Sequence, residues 1–423
     1  MSNFINNYIE LLYKKNKETI LNPLVDIYRG KCYTSILKSF IYFSIKTFGT
    51  EIFSVKKSYP RTLTNILSSW LFSLYSDYDY KDDPFLPSNY ENMKILRVIF
   101  SDLAKHNTKI KNVDNKKNFV LNELKKSYKY NLSLLQGYKN GDYFIKNKNK
   151  YNIIKLIHND KNFYKFNVKL SFYIKDNRLN NILNNIFIPI KVYERMKERY
   201  TGPLNKLDEY IWIILFRYQL LGSNNNQLGV LPKILNKMNE ELDLDFECFA
   251  SAINSTSSYY CSIYYDVEKF FGSKGSFFNM IPLKGTYSFN PPYQTDVITN
   301  GINKLLKHLE YADNRNYILN FIITIPIWDI EGKCIMTELS EEDGTKDNNI
   351  DYGEFEIMNI IKKSKYFKGY RMIRKEDFTY LDHNFDIYKD VTIQNTYIMV
   401  LSSDENNKFM NKINNYTFKN KIL

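Results

Sequence analysis

The chain has 423 residues, more than a typical single domain, so two domains are the default expectation. Apolar residues make up 44%, which speaks against a disordered chain, and 59 Lys and Arg against 46 Asp and Glu leave a formal charge of +13. That balance favours a polyanionic partner over an acidic protein, although lysine runs such as Lys146-Asn147-Lys148-Asn149-Lys150 can also reflect an AT-rich genome.

The first half reads as mostly helical, with apolar residues at three- and four-residue spacing over Asn3 to Tyr13, Thr34 to Thr47, Thr62 to Tyr75 and Asn92 to Lys105. Ser58-Tyr59-Pro60 and Asp82 to Pro87 read as loops. The period changes to two at Phe166 to Phe172, predicting a strand, and Tyr193 to Tyr200 resumes a helix. Asp208 to Leu221 reads as a long buried helix, followed by a loop from Ser223 to Gly229. From about Leu231 the rhythm becomes α/β. Short strands are predicted at Phe246 to Ala250, Tyr260 to Tyr264 and Thr286 to Phe289, then a helix over Asn300 to Leu309. Tyr317 to Ile325 is a β-branched and aromatic run of the kind buried in a parallel sheet. Glu338 to Tyr352 is an acidic loop, and Gly369 to Ile373 and Thr396 to Leu401 are the closing strands. These elements predict a mostly helical domain over 1–205 and an α/β domain over 206–423. Strands separated by helices imply a doubly wound sheet, whose ligands lie at the carboxyl ends of the strands.

Cys32, Cys248, Cys261 and Cys334 are scattered without a Cys-x-x-Cys, and the histidines are equally dispersed, so neither a disulfide framework nor a metal site is indicated. The amino terminus lacks a basic-then-apolar leader, and the apolar stretch Tyr210 to Leu221 is interrupted by Arg217 and too short to span a bilayer. No membrane association is expected. The expectation is a soluble intracellular protein, with cytoplasm and nucleus not distinguished.

The most informative stretch is Asn290-Pro291-Pro292-Tyr293, directly after the strand ending at Phe289. The exocyclic amine of a purine is a poor nucleophile because its lone pair is delocalised. Accepting hydrogen bonds from both its N–H groups, through the Asn290 oxygen and a backbone carbonyl of the diproline step, lets the nitrogen become tetrahedral as it attacks a methyl sulfonium. Pro291 and Pro292 fix the backbone that aims those acceptors, and Tyr293 offers a face on which a planar group can stack. The plain alternative is a proline turn after a strand. One usual companion is missing: a Gly-x-Gly turn after the first strand, where Ser251-Ala252-Ile253-Asn254 stands instead.

Further strings accompany the motif: Leu228-Gly229-Val230, Phe246-Glu247-Cys248-Phe249-Ala250-Ser251 with Asn254, Tyr260-Cys261-Ser262, Phe271-Gly272-Ser273 with Gly275, Pro282-Leu283 with Gly285, Ile325-Pro326 with Trp328, and Asn395-Thr396. In order and spacing they resemble the phosphorylated-CTD-interacting-factor family, the cap-specific adenosine N6-methyltransferases, over about Arg217 to Asp404. The resemblance implies a Rossmann-like class I methyltransferase domain preceded by a helical domain that binds RNA or the cap. It also implies S-adenosyl-L-methionine as cofactor, and capped RNA as partner, methylated on the first transcribed 2′-O-methyladenosine beside the 7-methylguanosine. The family's Asn-Pro-Pro-Phe falls on Asn290, Pro291, Pro292 and Tyr293, with a tyrosine as the one departure. No WW-type module for binding the polymerase tail is evident, and a short, Asn/Lys-rich form of this kind resembles one carried by a large DNA virus, which would place it in the cytoplasm.

Cofactor contacts are expected from Gln227, Glu247, Cys248, Phe249, Ala250, Asn254 and Asp266. Five of them have a plain alternative: packing for Cys248 and Phe249, which would leave only Glu247 facing the ligand, helix capping for Gln227 and Asn254, and an exposed loop acid for Asp266. Substrate contacts are expected from Phe271, Ser273, Lys274 and Trp328, against a glycine turn and a core tryptophan. Arg217, inside an apolar helix, reads best as half of a buried ion pair. Two rival functions stand beside the leading one: a DNA adenine or protein glutamine N-methyltransferase using the same motif, and a catalytically silent RNA-binding scaffold.

Overall fold

The computed structural model describes residues 9–11, 21–50, 53, 59–76, 83–105, 111–139, 150–157, 162–222, 227–326, 356–383, 388–393, 395–405 and 408–418. The chain divides into two compact units: Lys15–Asn224 with Tyr264–Phe271, and Met1–Lys14 with Asn225–Ile263 and Gly272–Leu423. The boundary expected between residues 205 and 206 therefore falls short of the helix Leu207–Leu221, which belongs to the first of these units.

Ile9–Leu11 (β1) is a strand, where the sequence spacing over Asn3 to Tyr13 predicts a helix; the rest of that stretch lies outside the described residues. β1 pairs antiparallel with Met280–Pro282, so a partner distant in sequence decides its state.

The helical unit is built around Pro23–Phe48 (α1). Asn22 caps it by accepting from the Leu24 N–H at 2.9 Å, Pro23 starts it, and Gly49 ends it at φ 82°. Tyr59–Ser76 (α2), Lys94–Lys105 (α3) and Val113–Lys139 (α4) follow. α4 is hidden in the sequence by its lysines and asparagines, yet it buries Val120, Leu121, Leu124, Tyr128 and Leu135 at helical spacing. Tyr151–Ile157 (β2), Phe163–Leu170 (β3) and Ile186–Pro189 (β4) form a three-stranded antiparallel sheet, with Asn177–Asn184 (α5) before β4 and Ile190–Arg199 (α6) after it. Leu207–Leu221 (α7) is buried on nearly every side.

In the second unit, Leu228–Val230 (β5) is a strand where the sequence suggests the end of a loop, and Pro232–Leu242 (α8) follows. Leu244–Glu247 (β6) and Tyr259–Tyr260 (β7) are shorter than expected. Beyond Met280–Pro282 (β8) come Gly285–Phe289 (β9), Thr295–Asp313 (α9) and Leu319–Pro326 (β10). Glu356–Lys363 (α10), Phe367–Ile373 (β11), Tyr380–Asp382 (β12), Lys389–Val391 (β13), Thr396–Ser402 (β14) and Lys408–Ile413 (α11) complete it. Glu338 to Tyr352 lies outside the described residues.

Six strands form one mixed sheet in the order β11, β14, β10, β9, β6, β7. β7, β6, β9 and β10 run parallel, while β14 is antiparallel to both its neighbours. Alternate side chains feed two separate cores: Phe321, Ile323 and Met399 pack with Ile298, Ile302 and Leu305 of α9, whereas Ile322, Ile398 and Val400 pack with Ile234 and Met238 of α8. The chain passes from β6 outward to β7 and then returns to β9 on the other side of β6. In an open α/β sheet such a reversal marks the crevice where ligands lie, here beside the carboxyl ends of β6 and β9.

Candidate active site

Glu247 and Phe289 end the two strands that flank the reversal, so the residues following each come side by side. The Cys248 N–H donates to the Ser288 carbonyl at 2.8 Å, the Ala250 N–H to the Cys261 carbonyl at 2.9 Å, and the Cys261 N–H to the Glu247 carbonyl at 2.9 Å. The backbone past β6 is thereby clamped between its neighbours.

No glycine-rich turn follows β6, and side chains shape the loop instead. Glu247 Oε1 accepts from the Thr256 and Ser257 N–H groups at 2.6 and 2.7 Å. Asn254 Oδ1 accepts from the Ser251 N–H at 2.7 Å, and the buried Gln227 presents Oε1 to Ser251 Oγ at 2.8 Å. The structure thus brings Gln227 and Asn254 together on Ser251, a residue that sequence reasoning did not single out, while Glu247 holds the same loop at Thr256 and Ser257. Cys248 is fully buried in the core, where burial, then Cys261 and Glu247, push its thiol pKa well above the usual range. Only its backbone remains for the crevice. Phe249 packs on Phe277, Phe278 and Phe289, with centroids 5.1, 5.9 and 5.2 Å away. Ala250 is half-buried.

After β9 the chain runs through Asn290, Pro291, Pro292 and Tyr293 into α9. The Gln294 N–H turns back onto the Pro292 carbonyl at 2.7 Å, and the Gln294 carbonyl accepts from the Ile298 N–H at 2.9 Å. Asn290 is half-buried, and its Oδ1 is closed off from water with no hydrogen-bond partner among the described residues. Such an acceptor costs free energy until a donor arrives. Tyr293 meets Tyr380 edge-on, with centroids 6.3 Å apart at 77°. Burial, then Tyr380 and the hydrogen bond to its hydroxyl, raise the Tyr293 pKa well above the ordinary phenol value.

The remaining expected residues separate. Asp266 belongs to the helical unit, and its Oδ1 and Oδ2 receive Arg217 Nη1 and Nη2 at 2.7 and 2.9 Å. Arg217 also holds Asp26, and Arg29 bridges Asp26 to Asp83 at 3.0 Å each. The ribose-binding expectation for Asp266 is corrected: its carboxylate is committed to a guanidinium that would otherwise be buried unpaired. Arg217 is the buried ion-pair residue that its sequence setting suggests. Phe271, also in the helical unit, is buried against Tyr200 at 5.1 Å. Ser273 and Lys274 lie in the sheet unit: Ser273 Oγ contacts Ser262 Oγ at 2.8 Å, and the Lys274 ammonium lies 4.3 Å from the Tyr259 ring, its pKa lowered by burial. Trp328 lies outside the described residues. No group of His, Cys, Asp or Glu able to hold a metal occurs among the described residues, and none of their helices is long and apolar enough to cross a membrane.

The crevice, its clamped loop and Asn290–Tyr293 all fall inside residues 190–350, which match the family model described as "Phosphorylated CTD interacting factor 1 WW domain". Over this segment the chain is similar to that family model, which covers less than half of the chain. It is 32% identical over 124 residues to a Mus musculus protein named "mRNA (2'-O-methyladenosine-N(6)-)-methyltransferase" and 31% identical over 124 residues to the Homo sapiens protein of that name. Each match covers 28% of this chain and 17% of the relative. The description of the family model conflicts with the expectation that no WW-type module is evident, and that expectation is withdrawn. The described part of the matched segment folds as helices, the parallel strands β6, β7, β9 and β10, and the strands β5 and β8 of two smaller sheets.

Proposed function

We propose that this chain is an S-adenosylmethionine-dependent methyltransferase of Rossmann-like class I fold. In this reading it acts on N6 of the first transcribed adenosine beside an mRNA cap. The observation that carries the reading is the unpartnered Asn290 Oδ1 at the carboxyl edge of β9, inside the segment that matches the family model.

The residues past β6 suit this cofactor. Its amino-acid end and sulfur need a loop held in one shape beside the end of β6, and Glu247, Gln227 and Asn254 fix that loop through Thr256, Ser257 and Ser251. When bound, S-adenosylmethionine supplies a methyl group on a positively charged sulfur. Asn290 accepts an N–H of the adenine amine and thereby favours the tetrahedral nitrogen that has a free lone pair. Because the oxygen is already desolvated, this hydrogen bond is not discounted by competing water. Tyr293, braced by Tyr380, presents its ring to the base. The amine proton leaves to water after the N–C bond forms, so the pocket needs acceptors rather than a tuned base.

The test is methylation of capped RNA beginning with 2′-O-methyladenosine, digested and analysed for N6-methyladenosine. Product from the wild type that disappears in Asn290→Ala is expected. Methylation of uncapped duplex DNA or of a peptide in its place would move the assignment to another acceptor.

A further inference from the structure

The strands β2, β3 and β4 hold three lysines and no Asp or Glu. One face of their sheet is committed to the helical unit: Phe166, Ile186 and Ile188 are fully buried, Tyr164 meets Tyr193 of α6 at 4.9 Å, and Lys155 pairs with Asp208 of α7 at 3.4 Å. The register defines the other face. Asn152 lies opposite Lys169, Leu156 lies opposite Lys165, and Lys165 has Phe187 on its far side, with Asn167 between the two lysines along β3. Asn152, Leu156 and Lys169 are exposed, and Lys165, Asn167 and Phe187 are half-buried. The Lys165 ammonium lies 5.3 Å from the centre of the Phe187 ring, and neither Lys165 nor Lys169 has an ion-pair partner among the described residues.

Two ordinary uses of surface lysine do not account for this face. Lysines that keep a sheet from pairing with another chain stand on its edge strands, whereas Lys165 and Lys169 are on β3, the central strand. A face that is merely solvated mixes both signs of charge, and this one carries only cations. We infer that it binds single-stranded RNA. Lys165 and Lys169, roughly 13 Å apart along β3, take phosphates of one strand. Asn152 and Asn167 supply donors and acceptors for sugars and base edges, and the Phe187 ring gives a base a surface on which to stack. The choice of RNA among polyanions rests on the mRNA reading above. All of these residues belong to the helical unit and Asn290 to the other, so the face can be altered without touching the residues assigned to methyl transfer.

The experiment follows the fluorescence anisotropy of a labelled, uncapped, unstructured RNA with the full chain over a range of salt. The double variant Lys165→Gln/Lys169→Gln should bind about tenfold more weakly near physiological salt, and the slope of log affinity against log salt should be shallower by about 1.4. Phe187→Leu should lose about fivefold or more with the slope unchanged. Lys94→Gln/Lys129→Gln, which removes the same charge from exposed positions on α3 and α4, should stay within about twofold of wild type. Full affinity in the Lys165/Lys169 variant, or an equal loss in the Lys94/Lys129 variant, would overturn the assignment of this face. So would tighter binding of phosphatidylserine vesicles than of RNA, or a dimer in solution that the Lys165/Lys169 variant splits. Methylation of a capped dinucleotide checks the underlying reading separately: a wild type that binds the RNA as described but methylates nothing would overturn the adenine N6 reading and not the binding face.

Discussion

Tyr293 and Tyr380 meet edge-to-face, and the Tyr380 hydroxyl continues to Thr396 Oγ1 at 3.0 Å. A tyrosine in place of the family's phenylalanine therefore meets a polar neighbour from β12, itself tied to the first residue of β14. Tyr380 braces the Tyr293 ring through this edge contact. Tyr293→Phe should keep methylation within a few-fold of wild type and lower stability by about 1 kcal/mol, read from denaturant midpoints. Tyr293→Ala should abolish product formation.

Arg217 and its partners predict a different kind of loss. With Arg217 gone, Asp26 and Asp266 remain buried without their shared cation, and Arg217→Met should destabilise the protein by about 3–5 kcal/mol. Arg217→Lys should recover little of it, since one ammonium cannot serve two carboxylates with paired N–H groups. Thermal unfolding of the two variants checks both statements.

Much of this was legible in the sequence because the proposed chemistry sits on a local motif. Asn290-Pro291-Pro292-Tyr293 is contiguous, and the strand before it and the helix after it follow from side-chain period. The rest depends on contacts between residues far apart. Asp266 looks like a ribose ligand by its place after the second strand, but Arg217 claims it. Residues 9–11 carry a helical spacing and pair as a strand with β8. α4 is masked by lysines whose stems tolerate a helix surface, so only its buried stripe reveals it.

His308 of α9 gives a pH dependence. Burial, with the Lys304 charge adding to it, lowers its pKa from 6.5 to about 3, and its ring lies edge-on to Phe277 at 6.3 Å. The unfolded chain therefore binds a proton between those values that the folded chain does not. The stability contributed by the neutral imidazole is complete above about pH 6.5 and is lost progressively as pH falls toward 3. Melting temperature should fall between pH 7 and pH 4.5, and His308→Gln should flatten that fall.

Gly272 and Glu247 test the loops beside the crevice. Gly272 has φ 103°, and a Cβ there would lie 2.7 Å from the Ser258 carbonyl oxygen, so Gly272→Ala should cost about 1–3 kcal/mol. Glu247→Ala removes the acceptor of two loop N–H groups. Isothermal titration should show S-adenosylhomocysteine binding weakened about tenfold or more.

The central claim is that Asn290 holds an adenine amine for methylation, and mass spectrometry of nucleosides from a capped RNA tests it most directly. Wild type with S-adenosylmethionine should convert the first 2′-O-methyladenosine to its N6-methyl form, and Asn290→Ala, folded and still binding S-adenosylhomocysteine, should not. Equal conversion by the two proteins, or none by the wild type, would contradict it.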